Sequence, residues 1–193
     1  MKKFLSLILT IVLSLSFTNI SSHAKENGIP QTIIVVNEQG EEVELKLVKT
    51  YTVKAVNKEE KLHLTRELGG NEYYSVFKGS AGWVDYAHPY RTAAAYTGSL
   101  TLSISDSISW QYNITGGVTT DIFTATLGIT YGKTTTVTQS LTVDTEDKYT
   151  KIYAFPEYKK YSYEIWEDDA FYDDYIGDAS YDKVTGVEFG VYQ

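Results

Sequence analysis

Apolar and polar positions alternate strictly from Ser99 to Thr115, "SLTLSISDSISWQYNIT". Every even position from Leu100 to Ile114 is large and apolar except Asp106, and every odd one is Ser, Thr, Gln or Asn. A period of two is the mark of a strand with one face buried. Strands in globular domains typically run about 5–6 residues, so this one is long. The alternation pauses at "GGVTTD" (116–121) and resumes with opposite parity. Phe123, Ala125, Leu127, Ile129 and Tyr131 are apolar; Thr124, Thr126, Gly128, Thr130 and Gly132 fall between them. It continues through Val137, Leu141 and Val143. The pattern predicts a long amphipathic antiparallel hairpin over 98–143, its second arm starting near Ile122.

A turn centred on Thr119-Thr120 would pair residues whose numbers add to 239, so that Trp110 faces Ile129, Tyr112 faces Leu127 and Ile114 faces Ala125. Asp106 would then face Lys133, and these are the two charges that interrupt the apolar face. A turn at Gly116-Gly117 would instead set Asp106 against Leu127. The first register is preferred because opposite charges compensate across a strand pair.

The rest of the chain also reads as strand. In "QTIIVVNEQGEEVELKLVKTYTVKAV" a short apolar strand at 33–36, turn residues around Gly40 and an alternating run from Val43 predict a hairpin. "NKEEKLHLTRELGG" fits either a strand or one short helix ending at Gly69-Gly70. "KIYAFPEYKKYSYEIW" and "TGVEFGVYQ" predict further strands, and the acidic aromatic stretch 164–182 is expected to be a loop. Three Pro, 17 Tyr and abundant Thr and Val agree with an all-β chain. The expected fold is one all-β domain over 25–193, an elongated antiparallel β-sandwich-like body carrying the long Ser/Thr-rich hairpin.

Charge sharpens the picture. Residues 25–97 carry ten acids and nine bases, and 143–193 carry thirteen acids and five bases. Between them, 98–142 carry only Asp106, Asp121 and Lys133. The N-terminus places Lys2 and Lys3 before an apolar run at 4–17, with small residues at Ser22 and Ala24. That order predicts a secretory signal peptide over 1–24, cleaved after Ala24, and hence a secreted protein. The run is shorter than the roughly 20 residues a spanning helix needs. Losing Lys2 and Lys3 moves the net charge from −8 to −10. Such a balance argues against nucleic acid as a partner. With no Cys, stability must come from packing alone.

From the level of Asp106 and Lys133 to the turn, each predicted arm has roughly ten to twelve residues, where a tilted membrane strand needs about 9–11. Ile108, Trp110, Tyr112, Ile114, Phe123, Ala125, Leu127, Ile129 and Tyr131 would then face lipid. Trp110 and Tyr131 would lie near the charged end, where an interfacial aromatic belt is expected. One hairpin cannot close a barrel, but several copies contributing two strands each can. A homo-oligomer is therefore implied. A long hairpin with one apolar face is equally the wall of an ordinary sandwich, and a secreted or cell-surface binding module is the alternative.

"LTLSISDSISWQYNIT", "IFTATLGITYGKTTTVTQSLTV" and "KIYAFPEYKKYSYEIW", over about 98–166, resemble the insertion-hairpin region of the aerolysin-like β-pore-forming toxins. The resemblance implies elongated antiparallel sheets, ring assembly and a hairpin that refolds into a membrane barrel. The implied activity is non-enzymatic.

Other motifs carry less. "GITYGKTT" has three residues between Gly128 and Gly132 where a phosphate-binding loop needs four, and it lies inside a β pattern, so no nucleotide is expected. "KGSAG" is not a G-x-S-x-G elbow, and His63 and His88 stand far apart, so no catalytic residues are assigned. No cofactor is expected, with one exception: Asp168, Asp169, Asp173, Asp174 and Asp178 supply hard oxygens of the kind calcium takes, without EF-hand spacing. In the same stretch Trp166, Phe171, Tyr172 and Tyr175 form a candidate recognition surface for a target membrane or a cell-surface glycan or protein receptor.

Overall fold

The computed structural model describes residues 28–37, 39–55, 66–68, 71–169 and 171–193, with 66–68 and 71 by backbone only. The expected signal peptide and most of the ambiguous 57–70 stretch, His63 included, lie outside the described residues. Among the described residues, ten strands and one helix follow in chain order: β1 (Thr32–Val36), β2 (Glu42–Lys54), β3 (Arg66–Leu68), β4 (Asn71–Val84), β5 (Arg91–Ala95), β6 (Ser99–Ser109), β7 (Gln111–Ile114), α1 (Thr120–Leu127), β8 (Thr134–Asp144), β9 (Thr150–Asp168) and β10 (Asp174–Tyr192). Every strand pairing among them is antiparallel, so the fold is all-β and sandwich-like as the periodicity predicted.

The predicted β1–β2 hairpin forms. Its turn is built by Asn37, whose side-chain oxygen accepts from the backbone N–H groups of Gln39 and Glu41 at 3.0 and 2.8 Å, and by Gly40 at φ +83°. Asx turns and a left-handed glycine are the standard chemistry for such a reversal.

The spine of the molecule is the β9–β10 hairpin, 19 residues in each strand. At about 3.3 Å per residue, strands of this length reach on the order of 60 Å. The stretch 164–182, expected to be a loop, is mostly strand: only 169–173 connects β9 to β10. Its Trp and Tyr residues fit a pleated surface, and the pairing Glu167↔Asp174 through Ser162↔Ser180 orders its carboxylates along the strands. Flanking strands divide the spine in two. Along β9, β5 pairs with Thr150 to Ala154 and β4 with Glu157 to Asp168. Along β10, β7 pairs with Ala179 to Asp182 and β2 with Gly186 to Tyr192. The eight-stranded sheet thus runs β1-β2-β10-β9-β4-β3, with β5 and β7 as additional partners of β9 and β10.

Burial follows this division. From Ile152 to Pro156 every residue of β9 is buried, whereas from Tyr161 to Glu167 only Tyr163 and Ile165 are. Continuous burial means both faces are covered; alternation means one is. In the first half, one face packs Ile152, Ala154, Val187, Phe189 and Val191 into the main core. The other packs Tyr153, Phe155 and Tyr192 against Ile33, Val35 and Leu45.

The second layer is a two-stranded ribbon, β6–β8, paired from Ser99↔Asp144 to Ser109↔Thr134. Its inward residues Leu100, Leu102, Ile104, Ile108 and Val137 join the main core. Burying each such side chain stabilises by about 1.5–3 kcal/mol. Its outward face is Ser and Thr throughout, apart from Asp144 at its end, and is exposed to water. Hydroxyls bond across the strands there, Thr101 to Thr142 at 2.8 Å and Ser107 to Thr136 at 2.9 Å.

Candidate functional site

The ribbon accounts for the outer parts of the predicted hairpin, 99–109 and 134–144, but not for its middle. After β6 the chain leaves the ribbon as β7 and joins the edge of β10, from Gln111↔Asp182 to Ile114↔Ala179. It then turns at Gly116 (φ +67°) and enters α1. The expected second arm beginning near Ile122 is therefore corrected: 120–127 is helical. Local chemistry explains why. Thr119 caps the helix, its hydroxyl accepting from the Ile122 N–H at 3.2 Å. Asp121 sits in the first turn, where a negative charge is favoured. Gly128, at φ +66°, ends the helix with its N–H on the Thr124 carbonyl. The stripe Ile122, Phe123, Ala125, Thr126 and Leu127 is buried, and α1 lies against β3 and β4.

The register is also corrected. Paired residues of β6 and β8 have numbers adding to 243, not 239: Ile108 lies opposite Thr135 and Asp106 opposite Val137. Asp106 therefore does not lie opposite Lys133. Its carboxylate takes the Arg91 guanidinium of β5, at 2.8 Å from Nε and 2.6 Å from Nη2. Lys133 lies opposite Trp110. The Trp110 backbone N–H donates to the Lys133 carbonyl at 2.9 Å, and the Lys133 ammonium sits 5.0 Å from the indole ring centre. Trp110 therefore does not face Ile129, nor does Tyr112 face Leu127. Ile114 pairs with Ala179 rather than Ala125.

Of the nine residues expected to face lipid, Ile108, Trp110, Phe123, Ala125, Leu127 and Ile129 are buried, Tyr112 and Ile114 are half-buried, and Tyr131 is exposed. All but Ala125 and Tyr131 belong to the main core or pack against it. Trp110 is the hinge of this arrangement. It stacks on Tyr181 at 5.5 Å, Tyr181 stacks on Tyr161 at 5.0 Å, and the Lys183 ammonium also approaches the indole, at 5.4 Å. The Trp110 indole N–H donates to Thr135 at 2.7 Å. The Tyr112 ring meets Tyr131 at 4.6 Å and the edge of Phe123 at 5.7 Å. Its hydroxyl donates to the Thr130 carbonyl and accepts from the Lys133 N–H. Burial pushes the Tyr112 phenol above its ordinary pKa.

At the end of the spine nearest β3 and the start of β4, the candidate recognition residues are gathered at the β9–β10 connection. Phe171 is 92% exposed, and Tyr172 and Tyr175 are largely exposed. Trp166 meets Tyr175 edge-on at 5.3 Å. The Tyr74 hydroxyl donates to Asp173 at 2.7 Å, and that bond, first among the causes, raises its phenol pKa. Asp168, Asp169, Asp173, Asp174 and Asp178 share this end. Among the described residues, no group of three or more His, Cys, Asp or Glu is placed to hold a metal ion.

Three residues of this region gave no site signal in the sequence, or only a weak one. Arg91 lies fifteen residues before its partner Asp106, and no local pattern links them. Lys183 reaches Trp110 from a strand remote in sequence. Gly177 ends a β-bulge in β10 between Tyr175 and Gly177; an isolated glycine in a strand pattern was its signal.

No family model matches the chain, and no curated protein matches it. Among solved structures the chain is similar to one described as "Putative pore-forming toxin from Bacteroides vulgatus ATCC 8482". The two are 12% identical with a TM-score of 0.29, over 83% of this chain and 71% of the other. A likeness so distant carries no argument about function; the chain's own geometry must supply one.

Proposed function

We propose that the protein is a secreted, non-enzymatic, membrane-active protein that assembles with copies of itself and inserts the hairpin 108–131 into a target membrane. One observation carries this reading. The segment 110–133 keeps the register of the β6–β8 ribbon in its sequence while folding otherwise. Extending that register sets Tyr112 against Tyr131, Ile114 against Ile129 and Val118 against Ala125 on one face. Asn113 with Thr130, Thr115 with Gly128 and Thr119 with Thr124 fall on the other. The two arms already begin to meet: the Trp110 N–H donates to the Lys133 carbonyl and the Tyr112 and Tyr131 rings touch, as they would in the extended ribbon. Fully extended, each arm from 110 to the turn has about ten residues, the length a tilted membrane strand requires. Most of the apolar face is buried meanwhile, with Tyr112 and Ile114 half-covered and Tyr131 exposed, which limits the apolar surface shown to water before contact.

The exposed aromatic tip, Phe171, Tyr172 and Tyr175, is the part of the molecule that meets the target surface. α1, lying against β3 and β4, is at the same end. Aromatic side chains favour the membrane–water interface, and the acidic neighbours disfavour anionic lipid.

The reading is tested with an environment-sensitive fluorophore on single cysteines at each position from 124 to 130, in phosphatidylcholine vesicles loaded with dye. Dye release together with blue shifts at 125, 127 and 129 but not at 124, 126, 128 and 130 is the expected result. A 3.6-residue period, or no shift, would overturn insertion as a strand. The binding-module alternative would then stand, carried by the exposed tip.

A further inference from the structure

We propose that the backbone contact between Gly116 and Gly177 is a clasp that holds 111–133 in its folded arrangement and sets the point beyond which the ribbon cannot lengthen. This concerns the regulation of the hairpin and rests on the proposed reading of 108–131 as the inserting segment.

Two glycines meet here with no room for a side chain. A Cβ on Gly116 would lie 2.5 Å from the Ile176 carbonyl oxygen, and one on Gly177 would lie 2.2 Å from that of Thr115. Both are at positive φ, +67° and +156°. Contacts this close to backbone atoms admit only glycine. The bulge in β10 makes the fit possible. It turns the Ile176 carbonyl toward the N–H of Gly117, which donates at 2.9 Å, while the Thr115 N–H donates to the Asp178 carbonyl at 2.9 Å. The Thr115 hydroxyl also lies 3.3 Å from the Asp178 N–H, which donates to it. Bulges of this kind re-aim main-chain groups and end pairings.

The direction of the backbone bonds shows what the clasp blocks. The Trp110 N–H points to Lys133, on the β8 side, while the Thr115 and Gly117 N–H groups point to β10. Main-chain groups alternate sides along a strand. Tyr112 and Ile114 therefore turn their backbone bonds away from β10, toward the chain at 129–131. The ribbon can gain the rungs Tyr112–Tyr131 and Ile114–Ile129 with β7 still on β10. The next rung, Gly116–Leu127, needs Gly116 extended. At φ +67° it is not, so lengthening stops until Gly116 swings away from Gly177. The same step frees Leu127 from the end of α1.

The test uses hydrogen exchange on the whole mature chain in water, followed by dye release from phosphatidylcholine vesicles. In Gly116→Ala and Gly177→Ala, amides of 111–133 should exchange about tenfold faster or more, with the β9–β10 core unchanged. Thr115→Cys/Asp178→Cys, oxidised, should slow that exchange and abolish dye release, and reductant should restore both. Unchanged exchange in 111–133, or exchange rising equally along the chain, would overturn the clasp. Faster local exchange with no dye release from any variant or from the wild type would uphold the clasp and remove the membrane reading.

Discussion

The ribbon 99–109 with 134–144 and the segment 111–133 carry the same alternation of apolar and hydroxyl side chains, yet only the ribbon pairs as that alternation directs. The difference lies in what each apolar face meets. Ile104, Ile108 and Val137 already lie against the main sheet when the two strands pair. Phe123, Leu127 and Ile129 find cover by leaving the ribbon line, as a helix and turn against the far half of the spine. A binary pattern states which side of a segment must be buried; it does not state against what.

The largest effect that separates the two regions is expected from Phe123→Ala. Phe123 is fully buried, and such truncations cost about 3–5 kcal/mol. The matching cut in the ribbon, Ile104→Ala, should cost about 2–5 kcal/mol. Urea unfolding followed by hydrogen exchange distinguishes them. Phe123→Ala should expose 111–133 while β6 and β8 stay protected, whereas Ile104→Ala should loosen both. Equal loss of protection in the two variants would mean that ribbon and segment are one cooperative unit.

A smaller, more local effect is expected from Thr119→Ala. It removes the cap of α1 and should cost about 0.5–2 kcal/mol. Because the same change leaves the β pattern intact, it should tilt 120–128 toward the extended form. Faster exchange confined to 120–128 is the confirming result, and a change in the ribbon itself would contradict it.

The smallest effect concerns Asp182, which lies opposite Gln111 of β7 and Lys160 of β9. Burial raises its carboxyl pKa, against the opposing pull of Lys160 and of the Trp83 hydrogen bond. A raised folded-state value means the folded form holds its proton more tightly than the unfolded form. Stability from this group is thus full below the ordinary Asp value of about 3.9 and declines as pH rises through the raised one. Asp182→Asn should therefore be slightly more stable than wild type at neutral pH, with the advantage closing in acid. Thermal melts of both proteins across that range check the sign, which bears on how firmly β7 is seated.

Much of this was legible in the residues. The alternation of Leu100 to Ile108 and of Thr134 to Val143 located the ribbon because its inner face has one possible destination. The all-β class followed from the same signal. The helix at 120–127 was hidden because its apolar residues satisfy two periods at once. Phe123, Leu127 and Ile129 alternate with polar residues, while Val118, Ile122, Ala125 and Ile129 recur at helical spacing. Thr119 as a cap and Gly128 as a terminator were the signals that could have decided it. The acidic run 164–182 passed for a loop because charge masked Ile165, Trp166 and Tyr175, which are strand formers. The Asp106–Arg91 pair could not be read at all: an ion pair between neighbouring strands depends on which strands are neighbours.

On the outward face of the ribbon each rung but the last is a Ser or Thr meeting another, and either residue supplies a hydroxyl in the same place. Exchanging one for the other leaves the cross-strand bonds and the wetting of the surface nearly unaltered. Substitution can accumulate along this face at little cost, so that descendants of one ancestor would share its composition long after they ceased to share its letters. At Gly116 and Gly177, where a single methyl group collides with a carbonyl, no such drift is open.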